Sequence, residues 1–115
     1  MAAAEFDITL YKGTDFSKTL SLTDVNGDTF DLSVYDSVRC DMRRHPALPD
    51  VVATFVCDIV GDGSTGQIIW GMDNEITAEI PTYKHYYDMM LYHSDGSIHA
   101  LLVGEVDVDQ NVTQS

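Results

Sequence analysis

The sequence is short of basic residues. Six lysines and arginines stand against 19 aspartates and glutamates, which gives the 115-residue chain a formal charge of −13. A charge of this size repels phosphate backbones and anionic membrane surfaces, so we expect no nucleic acid and no membrane among its partners. The acidic residues are dispersed over turns and alternate strand positions, which is typical of a solvated surface. An acidic face that meets a basic partner is the alternative.

Cysteines, long apolar runs and export signals are also scarce or missing. Two cysteines are too few for a disulfide scaffold. No apolar run approaches the roughly 20 residues that a membrane-spanning helix needs. The opening residues 1–7 lack the basic region and apolar core of a secretory signal. We therefore expect a protein that is made and used in a reducing cytoplasm, as one domain over residues 1–115 with a polar tail at 110–115.

The sequence contains no catalytic motif. It has neither a Gly-x-Ser-x-Gly elbow nor a Gly-rich phosphate loop, and paired carboxylates would need a cleft that a small domain seldom has. We therefore expect no enzymatic activity, no catalytic residues and no cofactor.

Metal-binding patterns are incomplete. The segment 24–28 resembles the start of a calcium loop, but no Glu follows at the required position. No pair of Cys or His residues has zinc spacing, so we expect no metal site and four solvated histidines, which are His45, His85, His93 and His99. A calcium ion held between two acidic loops stays open as an alternative.

Short alternating segments separated by turns dominate what is present. Strands are predicted at 6–11, 16–22, 30–32, 38–43, 53–59 and 67–72, with two more on either side of the Asp95–Gly96 turn. One short helix is predicted near 73–79, with Asp73 as its cap, Ile76 and Ile80 on one face, and Pro81 at its end. Seven or eight short strands with one short helix predict an all-β fold, an immunoglobulin-like antiparallel β-sandwich.

Periodicity also predicts the core and one strand register. Ile68, Trp70 and Met72 share one strand face, and we expect Trp70 to be a core residue. In an antiparallel pair, opposite residues have a constant index sum, and a sum of 97 places Cys40 opposite Cys57. We therefore expect these cysteines to be neighbours that stay reduced.

An ordered set of segments resembles small virion proteins of tailed bacteriophages. The segments are 6–16, the Asn26–Gly27 turn leading to 30–32, 73–78 before a Tyr-rich strand, Tyr87–Asp88, and Asp95–Gly96 leading to 102–106 and 112–113. The chain is similar to the N-terminal modules of upper baseplate proteins. This resemblance implies an immunoglobulin-like module of a phage virion that is made in the host cytoplasm, acts in assembly or adhesion, and contacts other virion proteins.

The expected interface combines an aromatic face with strand edges. If Tyr87, Met89 and Leu91 point inward, Tyr86, Met90 and Tyr92 form an outer stripe, which either a loop covers or a neighbouring subunit contacts. The terminal strands 6–11 and 105–112 are the expected free edges, because each lies next to a chain end. They contribute Phe6, Ile8, Val106 and Val108 to the expected interface.

The function that we expect is a non-enzymatic, homo-oligomeric adaptor in the tail, neck or baseplate. The alternatives are a capsid decoration protein and a carbohydrate-binding adhesion module.

Overall fold

The computed structural model describes residues 4–110 and shows an all-β protein. Its strands are β1 (Ala4–Glu5), β2 (Ile8–Tyr11), β3 (Phe16–Ser21), β4 (Tyr35–Arg43), β5 (Ala53–Ile59), β6 (Gln67–Met72), β7 (His85–His93) and β8 (Ile98–Asp109), and the helix α1 spans Asn74–Thr77. The strand predicted at 30–32 does not form. That stretch is held instead through a Thr23–Thr29 bridge and through Leu32 N–H, which donates to the Gly63 carbonyl.

The strands form one curled sheet in the order β1-β8-β7-β4-β5-β6-β3, and β2 also pairs with β8. The pairs of β1 and β2 with β8 are parallel and the others are antiparallel. The predicted all-β class is therefore confirmed, and the sheet is mixed at this edge, where the sequence predicted antiparallel pairing. β5 pairs with β4 through residues 53–55 and with β6 through 56–59. The sheet turns at this strand, so that β8, β7 and β4 form one layer and β6 and β3 form a second layer that faces it.

Aromatic contacts between strands that are not neighbours show how the two layers face each other. Trp70 on β6 lies 5.0 Å from Tyr87 on β7, measured between ring centroids, although β5 and β4 separate these strands in the sheet. Phe16 and Phe55 pack edge-on against the same indole. Trp70 is fully buried with Ile68 and Met72 beside it, so the prediction that it is a core residue is confirmed.

The N-terminal segment is fixed against β8 by parallel strand pairing and by one close backbone approach. The hydroxyl of Tyr87 donates a hydrogen bond to the Phe6 carbonyl, and burial raises the pKa of Tyr87, which keeps this donor protonated. Gly104 lies under the same carbonyl and leaves no room for a side chain. β8 is therefore paired on both sides, and the prediction that 105–112 is a free edge is wrong; residues 111 and 112 lie outside the described residues.

The short helix forms where the sequence predicts it, but a different residue anchors it. Asp73 is the N-cap and accepts a hydrogen bond from Glu75 N–H. Of the two isoleucines predicted for one face, Ile80 is buried in the core and Ile76 is exposed. Thr77 is buried as well, and its hydroxyl donates to the Thr14 carbonyl at 2.7 Å. The helix is tied to the turn between β2 and β3 by this polar contact, which hydrophobic spacing could not reveal.

The predicted register of β4 and β5 is wrong by two residues. Cys40 lies opposite Phe55 instead of Cys57, so the pairing is centred midway between Pro46 and Pro49, one residue earlier than predicted. A shift of two keeps every side chain on its predicted face, so both thiols still point toward the core side. Burial raises the pKa of Cys40, and the neighbouring Cys57 thiol raises it further. Both cysteines are free.

His85 is a core residue, which corrects the expectation that all four histidines are solvated. It is fully buried, its ring stacks on Tyr83 at 4.5 Å, and neither ring nitrogen has a hydrogen-bond partner among the described residues. Burial lowers the pKa of His85, and the positive charge of Arg44 lowers it further.

This lowered pKa predicts a loss of stability in mild acid. The unfolded chain takes up a proton at the ordinary pKa of histidine, near 6.5, while the folded chain resists it. The stability of the folded chain is therefore unaffected by His85 above that pH, and it is lost as the pH falls from the unfolded pKa through the folded pKa. We expect the free energy of unfolding, measured in urea, to fall between about pH 7 and pH 5. His85→Phe should remove much of this fall, and an unchanged profile in that variant would assign the pH dependence to other groups.

Candidate interaction surface

The solvent side of β4, β7 and β8, called the outer face below, is built by strict alternation along β7. Tyr87, Met89 and Leu91 are buried in the core. The residues between them, Tyr86, Asp88, Met90 and Tyr92, are half-buried. Each points away from the core because successive side chains of a strand lie on opposite faces. The described residues cover this stripe only in part, so large side chains remain available to a partner.

One half of the outer face is apolar. Met90 lies opposite Ala100 and Tyr92 lies opposite Ile98 in the antiparallel register of β7 and β8. Ile98 is 61% exposed, unusually high for an isoleucine within a strand. These four residues, Met90, Tyr92, Ile98 and Ala100, form the hairpin patch.

The other half of the outer face carries balanced charge. Three ion pairs lie across it: Arg39–Asp41 at 2.9 Å, Arg43–Asp88 at 3.3 Å, and Lys84–Glu105 at 3.2 Å. The Asp41 carboxylate raises the pKa of Arg39, and Glu105 raises that of Lys84, so both cations stay charged. The whole chain carries −13, but the three ion pairs give this face no net charge of their own, so they add nothing to the repulsion of an acidic neighbour.

A shallow groove of about 300 Å³ runs along this charged half. Its lining includes Arg43, Tyr86, Val103, Gly104 and Glu105. An aromatic ring beside a guanidinium and carboxylates can receive a polar ligand or a protruding side chain of a partner.

The β7–β8 turn carries a cluster of rings. His93 and His99 lie 6.0 Å apart, and both pack edge-on against Tyr35. The two histidines are half-buried, which again corrects the expectation of solvated histidines. Within the turn, hydrogen bonds from the Ser97 side chain and backbone lower the pKa of Asp95. These contacts fix the end of the hairpin that carries the hairpin patch.

The acidic loops show turn geometry. Asp24 Oδ1 accepts hydrogen bonds from the N–H groups of Asn26 and Asp28. Hydrogen bonds from the side chain and backbone of Ser64 lower the pKa of Asp62. Within residues 4–110, no group of three or more Cys, His, Asp and Glu side chains is arranged to hold a metal ion.

The seven residues predicted for the interface separate into two sets. Tyr86, Met90 and Tyr92 lie on the outer face, and Phe6 is 39% exposed at the edge formed by the N-terminal segment. The other three are buried between the layers and offer no side chain to a partner, which corrects their assignment: Ile8, Val106 and Val108.

Ile98 and Ala100 were missed by the sequence reasoning. Their alternation with neighbouring residues was visible, but the β8 register shifts between the partners of Met89 and Met90. This bulge buries both Leu101 and Leu102 and breaks the period of two. The alternation of residues 102–108 therefore does not extend to residues 98 and 100, and it could not predict that these two side chains lie on the outer face.

Comparisons with known proteins establish the fold only. The sequence matches no protein-family model and no curated protein. One solved structure with a similar fold is a mutant of the SrpA adhesin from Streptococcus sanguinis, with a TM-score of 0.53 and 11% sequence identity. The similarity covers 90% of this chain and 55% of the adhesin chain, so this chain spans just over half of that structure. Among the described residues, no helix has the length and apolarity needed to cross a membrane.

Proposed function

We propose that the protein is a non-enzymatic structural subunit of a tailed-phage virion, an adaptor in the tail, neck or baseplate that binds neighbouring virion proteins through its outer face. The hairpin patch carries this proposal, because it leaves Ile98 largely exposed beside Met90 and Tyr92 on a rigid strand pair. The resemblance to baseplate modules supplies the setting, with synthesis in the host cytoplasm.

The physical basis is the pairing of an apolar patch with a charge-balanced surround. Tyr92 and Met90 are of the residue types that anchor protein interfaces, and their strand backbone is fixed on both sides by β4 and β8. The ion pairs of Arg39 and Arg43 flank the patch and set its orientation toward a partner. Association would bury the patch without bringing two regions of net negative charge together.

The double variant Met90→Ser/Tyr92→Ser tests the proposal. Both side chains are half-exposed, so the isolated domain should remain folded, whereas incorporation into particles should be lost. The measurement is the amount of the protein in purified particles from cells that express only the variant. Ile69→Ser is the matched control, because Ile69 is 46% exposed on β6, away from the outer face. Normal incorporation of the double variant would refute the outer face as the assembly surface.

Copy number separates the adaptor from a capsid decoration protein. An adaptor follows the rotational symmetry of the tail, whereas a decoration protein is present in hundreds of copies. Quantitative gel analysis of purified particles distinguishes the two.

A carbohydrate-binding adhesion module is the second candidate. The groove favours it, because Tyr86 offers a ring face and Arg43, Asp88 and Glu105 offer polar partners to a sugar. The fold shared with an adhesin is compatible with this candidate. Glycan-array binding that disappears in Tyr86→Ala and persists in the Met90→Ser/Tyr92→Ser variant would favour adhesion over assembly.

A further inference from the structure

The open edge of the sheet is β3. This strand ends the strand order and pairs only with β6 among residues 4–110. The opposite edge is broken into β1 and β2, of two and four residues, and the Asp7 carboxylate between them accepts a hydrogen bond from Glu105 N–H. Short, interrupted strands with a charged side chain resist pairing with other chains, so that edge is protected and β3 is not.

The hydrogen-bond pattern identifies the backbone groups that face this open edge. Leu22 N–H donates to the Gly66 carbonyl, and the pairing continues from there in constant register along β3. Bonding residues alternate in an antiparallel ladder, so the even-numbered residues of β3 bond to β6. On the other side of β6, Val60 N–H donates to the Gln67 carbonyl, so the odd-numbered residues of β6 bond to β5. Its even-numbered residues are therefore the ones that bond to β3, in agreement with the assignment for β3. The outward-facing residues of β3 are Ser17, Thr19 and Ser21.

Nothing on β3 blocks the approach of another strand. The strand Phe16–Ser21 contains no proline, its register has no irregularity, and its only charge is Lys18. The Lys18 ammonium lies 5.2 Å from the centre of the Phe6 ring, on the strand face opposite to the Thr19 side chain. The edge therefore presents hydroxyl side chains and unpaired backbone groups.

We propose that β3 pairs antiparallel with β3 of a second copy of this chain, around a two-fold axis at Thr19. The outward-facing positions read Ser-x-Thr-x-Ser, a sequence that is symmetric about Thr19. In this register Ser17 faces Ser21 of the second copy and Thr19 faces its own equivalent. Such a self-complementary strip is what a two-fold interface requires, and Thr–Thr pairs across strands are favourable.

The charges on β3 permit a second copy in this register. Lys18 falls opposite Leu20 of the second copy, so the two cations are not directly paired. Lys18 is the single charge within the strand, so β3 itself contributes no negative charge to the −13 of the chain. Asp15 and Asp24 lie just beyond the ends of the strand, so their repulsion between copies weakens the dimer at low salt and is screened at high salt.

The resulting dimer is weak in dilute solution. A single six-residue strand buries less than the roughly 800 Å² per partner of a stable interface. We expect a dissociation constant in the micromolar to millimolar range that tightens with added salt. Sedimentation velocity of the full chain across that concentration range measures it directly.

Variants at Thr19 test the register. Thr19→Pro removes an outward N–H that the monomer does not use, and proline is tolerated at such edge positions, so the monomer should still fold. The dimer loses the hydrogen bonds of that N–H and should weaken at least about tenfold. Thr19→Ala keeps the N–H and should pair nearly as well as the wild type. Circular dichroism of each monomer reports that it is folded.

A charge exchange on the two-fold axis gives an independent readout. Thr19→Lys alone and Thr19→Glu alone should each lose the dimer, because like charges then face each other, whereas an equimolar mixture of the two should recover it. A wild-type chain that stays monomeric to millimolar concentration overturns the proposal. A dimer that survives Thr19→Pro also overturns it. A dimer that disappears in Met90→Ser/Tyr92→Ser overturns it as well, because the contact then lies on the outer face.

Discussion

Trp70→Ala should unfold the domain. The indole is fully buried between the two layers and contacts Tyr87, Phe55 and Phe16. Removing a buried aromatic side chain costs about 3–5 kcal/mol, and a domain of this size has only about 5–15 kcal/mol of total stability. We therefore expect loss of the cooperative transition, or a large fall of its midpoint, in urea unfolding followed by circular dichroism.

Trp70→Phe is the matched control for this experiment. The indole Nε1 has no hydrogen-bond partner among the described residues, so the substitution loses volume and no hydrogen bond. It should cost clearly less than Trp70→Ala. If Trp70→Ala folded with nearly wild-type stability, the packing of the two layers around this residue would be refuted.

Gly104→Ala should detach the N-terminal segment from β8. An added Cβ would lie 2.8 Å from the Phe6 carbonyl carbon, closer still to its oxygen, and 2.9 Å from Cε2 of Tyr87. The backbone carbonyl cannot rotate away without breaking the hydrogen bond from the Tyr87 hydroxyl. We expect a cost of about 1–3 kcal/mol or more, and faster amide exchange over residues 4–11 than in the wild type.

Gly71→Ala is the matched control for Gly104→Ala. Gly71 is also a strand glycine beneath a carbonyl, but its added Cβ would lie 3.0 Å from the Phe16 oxygen and meet no side chain within 4 Å. A shift of a few tenths of an ångström relieves that contact, so its cost should be smaller. Equal costs in the two variants, with unchanged exchange over residues 4–11, would show that the N-terminal segment is not fixed at Gly104.

Both predictions concern the packing of the N-terminal segment and Trp70 between the two layers. Trp70 fills the space between the layers, and Gly104 allows the N-terminal segment to close one side of it. Phe6 connects them, since its ring lies 6.4 Å from Trp70 while its carbonyl lies over Gly104. Loss of the segment in Gly104→Ala should therefore expose one edge of the indole and shift its fluorescence emission.

Local patterns in the sequence were sufficient for the elements and for many of the faces. Alternation predicted β5, β6 and β7, and it placed Trp70 inward and Tyr86, Met90 and Tyr92 outward. The Asp73 cap predicted the start of the helix. These features depend on residues within one or two turns or pleats of each other, where side-chain period and capping chemistry decide the outcome.

Tertiary structure alone decided that β8 lies inside the sheet, that β3 lies at an edge, and which residues face each other across strands. The predicted edge at 6–11 is a sheet edge, formed by β1 and β2, but these two strands cover β8, and the other edge is β3. His85 is a different case, because alternation already places it on the inward face of β7 with Tyr87 and Met89, and only its residue type suggested a solvated side chain. The register of Cys40 differs from the predicted one by two residues, and alternation could not detect this because both registers place the same side chains inward. The packing of the whole sheet decides which distant strands pair. A period of two predicts which face of a strand is buried, but it does not predict which strand lies beside it.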